Sequence, residues 1–124
     1  MTIHLDTSAL VGALTAPRDS VDRLYTLVEE GHRLRVSSIV LYEWLRGPRT
    51  VGELRRQEEL FPREQAVPFD TEAAAQAAAL YVRLPRPRGR DLDLAIAACA
   101  LIDEAALWTL NPKDFADVPG LKLA

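Results

Sequence analysis

The chain has 124 residues, 48% of them hydrophobic and 27% charged, with eight prolines scattered along it; this fits one domain over residues 1–124 and excludes a disordered or low-complexity chain. The formal net charge of −3 excludes a protein that coats nucleic acid by bulk charge, because such binding draws its affinity from neutralised phosphates. A lone cysteine, Cys99, excludes an internal disulfide, a CxxC redox pair and a thiolate zinc site.

The first residues, Met1 to Asp6, carry neither a basic stretch nor a long apolar run. No apolar run reaches the roughly 18 residues that a membrane span needs, so a cytoplasmic protein with no membrane partner is expected. Residues 3–5 read as the first strand, with Asp6, Thr7 and Ser8 directly after it. Ser20 opens a helix that ends near Gly31, and residues 34–36 form a second strand. Ser38 opens a helix that ends near Gly47, and Thr50 with Glu53 spells a capping box. A third strand is expected at 66–68, and Asp70 or Thr71 precedes an alanine-rich helix. Residues 85–90, with two prolines and a glycine, form an exposed loop. A helix follows from Asp91 or Asp93, and residues 106–109 form the last strand.

The order is therefore β, α, α, β, α, α, β, α, α, β. Strands separated by helices need crossover connections, which predicts an α/β fold: a central parallel sheet of about four to five short strands flanked by helices on both faces. Sites in such sheets form at the carboxyl ends of the strands, and acids fall there. Asp6 follows the first strand, where it either caps the next helix or stands free if Ser8 provides the cap. Glu43 sits five residues into a helix among mostly apolar neighbours, which predicts a partly buried carboxylate that needs a metal or an ion pair with Arg46. Asp91 and Asp93 lie about 200° apart on a helix, so only one can face a shared site. Asp93 is in phase with the small residues Ala97 and Ala100, and Asp91 is the better cap. Beyond the last strand come Thr109, Asn111 and Asp114, where Asn111 can cap a turn that begins at Pro112, with Asp114 a surface acid.

Each acid has a structural reading alone, but together they place three or four carboxylates along one sheet edge. Such a cluster destabilises the fold unless cations neutralise it. An all-oxygen donor set points to Mg2+ or Mn2+. Arginines outnumber lysines thirteen to two, and Arg83, Arg86, Arg88 and Arg90 crowd one segment. They read either as solvated surface or as planar forks for phosphate.

The ordered set resembles the PIN domain: residues 4–10 around Asp6, residues 38–43 ending in Glu43, residues 93–98 opening with Asp93, and residues 109–115 with the Val118-Pro119-Gly120-Leu121 segment after them. The resemblance implies a metal-dependent endoribonuclease. Asp6, Glu43 and Asp93 would be the metal-binding carboxylates and Asp114 a fourth, with Ser8, Thr109 and Asn111 in support. Relatives often carry Asp where this chain has Asn111. The small size resembles the VapC-type toxins of type II toxin–antitoxin pairs, which implies an RNA substrate, a VapB-like antitoxin and a homodimer. Arg86, Arg88 and Arg90 would lead the RNA to Asp93, and Tyr42, Trp44, Leu54, Leu60 and Phe61 are available for partner contacts or for the core. Two alternatives are weighed against this: a PIN-like RNA-binding module without catalysis, and a haloacid-dehalogenase-like phosphatase, which requires a second acid where Ser8 stands.

Overall fold

A computed structural model describes residues 1–124. Strand β1 (Thr2–Leu5) is the middle of a three-stranded parallel sheet, with β2 (Arg33–Arg35) on one side and β3 (Ala106–Trp108) on the other. His4 faces Arg35 across one ladder and Leu107 across the other. Ile3, His4 and Leu5 are at most 1% exposed, so both faces of the central strand are covered, as parallel sheets require. Helices α1 (Thr7–Leu14) and α2 (Val21–Glu29) connect β1 to β2. Between β2 and β3 lie α3 (Ser38–Arg46), α4 (Val51–Leu60), α5 (Thr71–Arg83) and α6 (Asp91–Ile102). No helix is long and apolar enough to cross a membrane.

The element order matches the sequence pattern, and the expected four to five strands resolve into three strands and two single bridges. The strand expected at 66–68 survives only as a parallel bridge between Val67 and Ser37. A 3-10 turn (Arg63–Gln65) precedes it, and Pro68 after it has no N–H with which to continue a ladder. A second bridge joins Leu107 to Leu123 beyond β3. Thr109 lies outside β3.

Side-chain caps start three of the six α-helices. The Thr50 and Glu53 capping box forms at α4, and Asp70 caps α5 by accepting from the Ala73 amide. At α3 the cap is Ser37, whose hydroxyl accepts from Val40 N at 3.2 Å. The neighbouring Ser38 hydroxyl instead accepts from Phe69 N at 2.9 Å and fastens the Val67 bridge. Ser20 stands at the cap position of α2 without a side-chain bond. Asp91 is the first residue of α6 and not its cap; Arg90 occupies the cap position and makes no capping bond.

Helix α6 brings the site to the sheet. Every residue from Leu94 to Ala100 is buried, as expected of a helix that is apolar all round, and its small side chains let α3, α5 and β3 pack against it. At its far end Asp103 enters a polar cluster with His4 and Arg35. His4, fully buried, donates from Nε2–H to Asp103 Oδ2 at 2.8 Å, and Arg35 donates to both Asp103 oxygens at 2.9 and 3.0 Å. Burial lowers the His4 pKa and outweighs the hydrogen bond to Asp103, which pulls the other way. Burial pushes Asp103 up, and the His4 bond and the Arg35 charge pull it down further, for a net lowering.

Both shifts act in one direction. A buried neutral histidine contributes stability that is present above about pH 6.5 and is lost as pH falls below it, because the unfolded chain then binds more protons. Asp103 adds a second loss below about pH 4. Asp103→Ala is expected to cost about 3 kcal/mol, the low end for removing one member of a buried pair, since Asp103 keeps 24% of its side chain exposed. Chemical denaturation at pH 7.5 checks this, and a cost below about 1 kcal/mol, the range of a surface pair, would show that the cluster is not structural.

Candidate active site

Asp6 leaves the end of β1 with its amide still in the ladder, donating to Trp108 O at 2.8 Å. It sits at the cap position of α1, but its side chain caps nothing. Its carboxylate, only 5% exposed, accepts at Oδ2 from the Ser8 hydroxyl at 2.8 Å and the Thr109 hydroxyl at 2.7 Å. Each hydroxyl in turn accepts a backbone N–H from the segment after β3: Ser8 from Leu110 at 3.0 Å, and Thr109 from Asn111 at 3.0 Å. Ser8 therefore neither caps α1 nor competes with Asp6. It orients it, and Oδ1 makes no hydrogen bond within the chain.

Glu43 is placed by α3, where Val40 and Trp44, four residues apart, form the buried face. The acid lies at the edge of that face and keeps 19% of its side chain exposed. The apolar surround expected from sequence is thus one-sided, since Tyr42 and Leu45 point outward. Thr7 Oγ1 donates to Glu43 Oε1 at 2.7 Å, a contact the sequence reading missed. Successive residues on a helix point about 100° apart, so Thr7 and Ser8 at the start of α1 reach different carboxylates. The Arg46 pair is 3.5 Å long and Arg46 is 53% exposed, which makes it a weak surface contact.

Asp93 lies in the first turn of α6 and Asp114 in a 3-10 turn (Pro112–Asp114) after β3. Asn111 precedes that turn, but its side chain makes no cap, and both Asn111 and Asp114 are exposed. The four acids are electrostatically one group. Asp93 is raised to about 6, first by burial and then by the negative charges of Asp6, Asp114 and Glu43, with Arg90 opposing. None of Asp6, Asp93 and Asp114 is in a salt bridge. No group of three acidic, histidine or cysteine side chains is arranged to enclose a metal ion. Among the arginines, Arg86 and Arg88 are exposed, whereas Arg90 is turned onto Asp117 at 2.7 Å.

Because Asp93 titrates near 3.8 unfolded and near 6 folded, the folded chain holds more protons between those values, and its stability falls as pH rises through them. Asp93→Asn removes the repelled charge. It is expected to raise the Tm of the metal-free protein above about pH 6, and the gain should vanish below about pH 4. A Tm difference that does not change between those pH values would sink this account of the cluster.

The PIN domain family profile matches residues 3–121. No curated protein matches the chain significantly. Among solved structures, a chain of VapBC2 from Rickettsia felis, in a structure with a DNA fragment from its promoter, superposes with a TM-score of 0.79 at 25% identity, covering 100% of this chain and 98% of the other. A chain of the DNA-bound VapBC from Salmonella typhimurium gives 0.80 at 22% identity, covering 100% and 97%. VapBC-5 of the Mycobacterium tuberculosis toxin–antitoxin systems gives 0.64 at 25% identity, covering 98% and 93%. With the strand-end Asp6, the helical Glu43 and the Asp93 of α6 set on this sheet, the chain belongs to the PIN domain family.

Proposed function

We propose that the chain is a VapC-type toxin, a divalent-metal-dependent endoribonuclease held inactive by a VapB-like antitoxin. The observation that carries this reading is the set of acids at one end of the sheet: Asp6 and Glu43 are held by neutral hydroxyls, none of Asp6, Asp93 and Asp114 is in a salt bridge, and their charges together with burial raise Asp93 to about 6. The donor chemistry of these four carboxylates suits a hard cation such as Mg2+ or Mn2+ and does not suit zinc, although the side chains are not drawn together around one point without the ion. Asp6 and Asp93 would hold the ion directly, Glu43 would hold it or orient the attacking water, and Asp114 would support it. When bound, the cation supplies activation of water and stabilisation of charge on the phosphoryl oxygens.

The protein's own part is positional. Ser8 and Thr109 fix the rotamer of Asp6 and leave Oδ1 available, and Thr7 holds Oε1 of Glu43 while Oε2 meets only the long Arg46 contact. Water attacks the phosphodiester, so no covalent intermediate with the protein is needed. The exposed Arg86 and Arg88 precede α6 and would carry the RNA backbone toward Asp93. Of the apolar residues singled out for partner contacts, Trp44 and Phe61 are core, while Tyr42, Leu54 and Leu60 remain exposed for the antitoxin or a second copy of the chain. Such a toxin would act in the cytoplasm.

Purified protein incubated with total cellular RNA and Mn2+ or Mg2+ is expected to give discrete cuts that EDTA abolishes. Asp93→Asn is expected to reduce cutting by more than about 100-fold, because outer partners of metal ligands alone account for 10- to 100-fold. Mn2+ should also raise the Tm by mass action. Cutting that survives both EDTA and Asp93→Asn would overturn the site. Metal binding without any cutting would favour an RNA-binding module.

Arg86→Gln with Arg88→Gln should raise KM and flatten the dependence of RNA affinity on salt by about one unit of log–log slope per arginine, leaving kcat in place. An unchanged slope would remove both residues from the RNA path.

A further inference from the structure

Arg90 precedes the helix that carries Asp93, yet its guanidinium does not face open solvent. Nη2 donates to Asp117 Oδ1 at 2.7 Å and to the Asp114 carbonyl at 2.9 Å. Nη1 donates to Asp117 Oδ2 at 2.9 Å and to the Arg86 carbonyl at 3.3 Å. Four of its five N–H donors are therefore committed within the chain, and the side chain is only 19% exposed. A fork on both oxygens of one carboxylate is the strong form of this contact.

The segment it grips is fixed before the turn by the Ser8 and Thr109 hydroxyls, which accept from Leu110 N and Asn111 N. The turn bearing Asp114 is three residues long, outside the sheet, and is anchored on its inner side by the buried Phe115 and Val118. The side-chain contact to the exposed Asp114–Asp117 stretch comes from Arg90. Asp114 N and Phe115 N bond only within the turn, to Asn111 O and Pro112 O.

We propose that Arg90 and Asp117 form a clasp that positions Asp114 beside Asp93, so that Arg90 is a positioning residue for the acid cluster and not one of the cations that bind RNA. This rests on the metal-site reading for its catalytic consequence, and on the four hydrogen bonds alone for the clasp. The planar fork is what matters: a lysine keeps the charge near Asp93 but cannot reach both Asp117 oxygens and the Asp114 carbonyl together.

Amide hydrogen exchange on the full chain, a Mn2+ titration followed by thermal stability, and RNA cleavage kinetics test it together. Arg90→Gln, Arg90→Lys and Asp117→Asn are each expected to speed exchange at Asp114 and Phe115. Each should raise the Mn2+ concentration for half-maximal stabilisation by about 10- to 100-fold and lower kcat by a similar factor, as for other residues that orient ligands. KM and the salt slope should hold. Arg90→Gln combined with Asp117→Asn should be no worse than either alone, because both belong to one contact.

Unchanged exchange in Arg90→Gln would overturn the clasp. So would full recovery in Arg90→Lys, which would show that charge suffices without the fork, or a raised KM with a flattened salt slope, which marks a charge that meets phosphate. Exchange needs no turnover, so a wild-type chain that cuts no RNA would count against the nuclease reading, while the clasp would still be decided by the exchange rates.

Discussion

Mutual repulsion among carboxylates is the constraint around which one end of this molecule is organised. Asp6, Glu43, Asp93 and Asp114 come from four separate segments, and the field of three of them, with burial, holds Asp93 at about 6. A fold bears that cost only when other interactions fix the acids in place. Those interactions are visible: Trp44 and Val40 seat α3, the apolar length of α6 seats Asp93, and the Trp108 carbonyl holds the Asp6 amide in the sheet. Neutral hydroxyls orient the acids. Thr7, Ser8 and Thr109 each donate to a carboxylate without cancelling its charge, so the negative field is directed and preserved. An arginine in any of those places would have satisfied the same oxygens and removed the charge that makes a cation welcome.

Much of this was legible in the sequence. Periodicity carries the alternation of strands and paired helices, and the strand-end Asp6 with the helical Glu43 and Asp93 can be picked out by position alone. What could not be read were interactions between segments distant in the chain. Thr7 looks like any threonine after a strand, and its partner Glu43 lies 36 residues away. Arg90 belongs by composition to a basic run and by geometry to Asp117, 27 residues on. The strand expected at 66–68 has the right apolar character, but pairing depends on backbone donors, and Pro68 removes one. Asn111 and Asp91 have capping chemistry and do not use it, because cap propensity describes a preference that the surrounding chain can override.

The cluster of buried His4 with the partly buried Arg35 and Asp103 has a consequence where β1 ends. His4 and Arg35 are paired residues in adjacent strands, and both reach the same carboxylate. Because side chains alternate between the faces of a strand, sliding β1 by a single residue would turn His4 to the other face and strand Arg35 and Asp103 without their partner. Apolar neighbours such as Ile3 and Leu5 penalise that slip only weakly, since both faces of the strand are apolar. The polar cluster penalises it strongly. Asp6 stands two residues beyond His4, just past the end of the strand, so the alignment that pairs His4 Nε2 with Asp103 in the interior also decides where the strand ends and at what height its aspartate emerges. The accuracy of the acidic end is thus set by a ratchet tooth in the middle of the sheet.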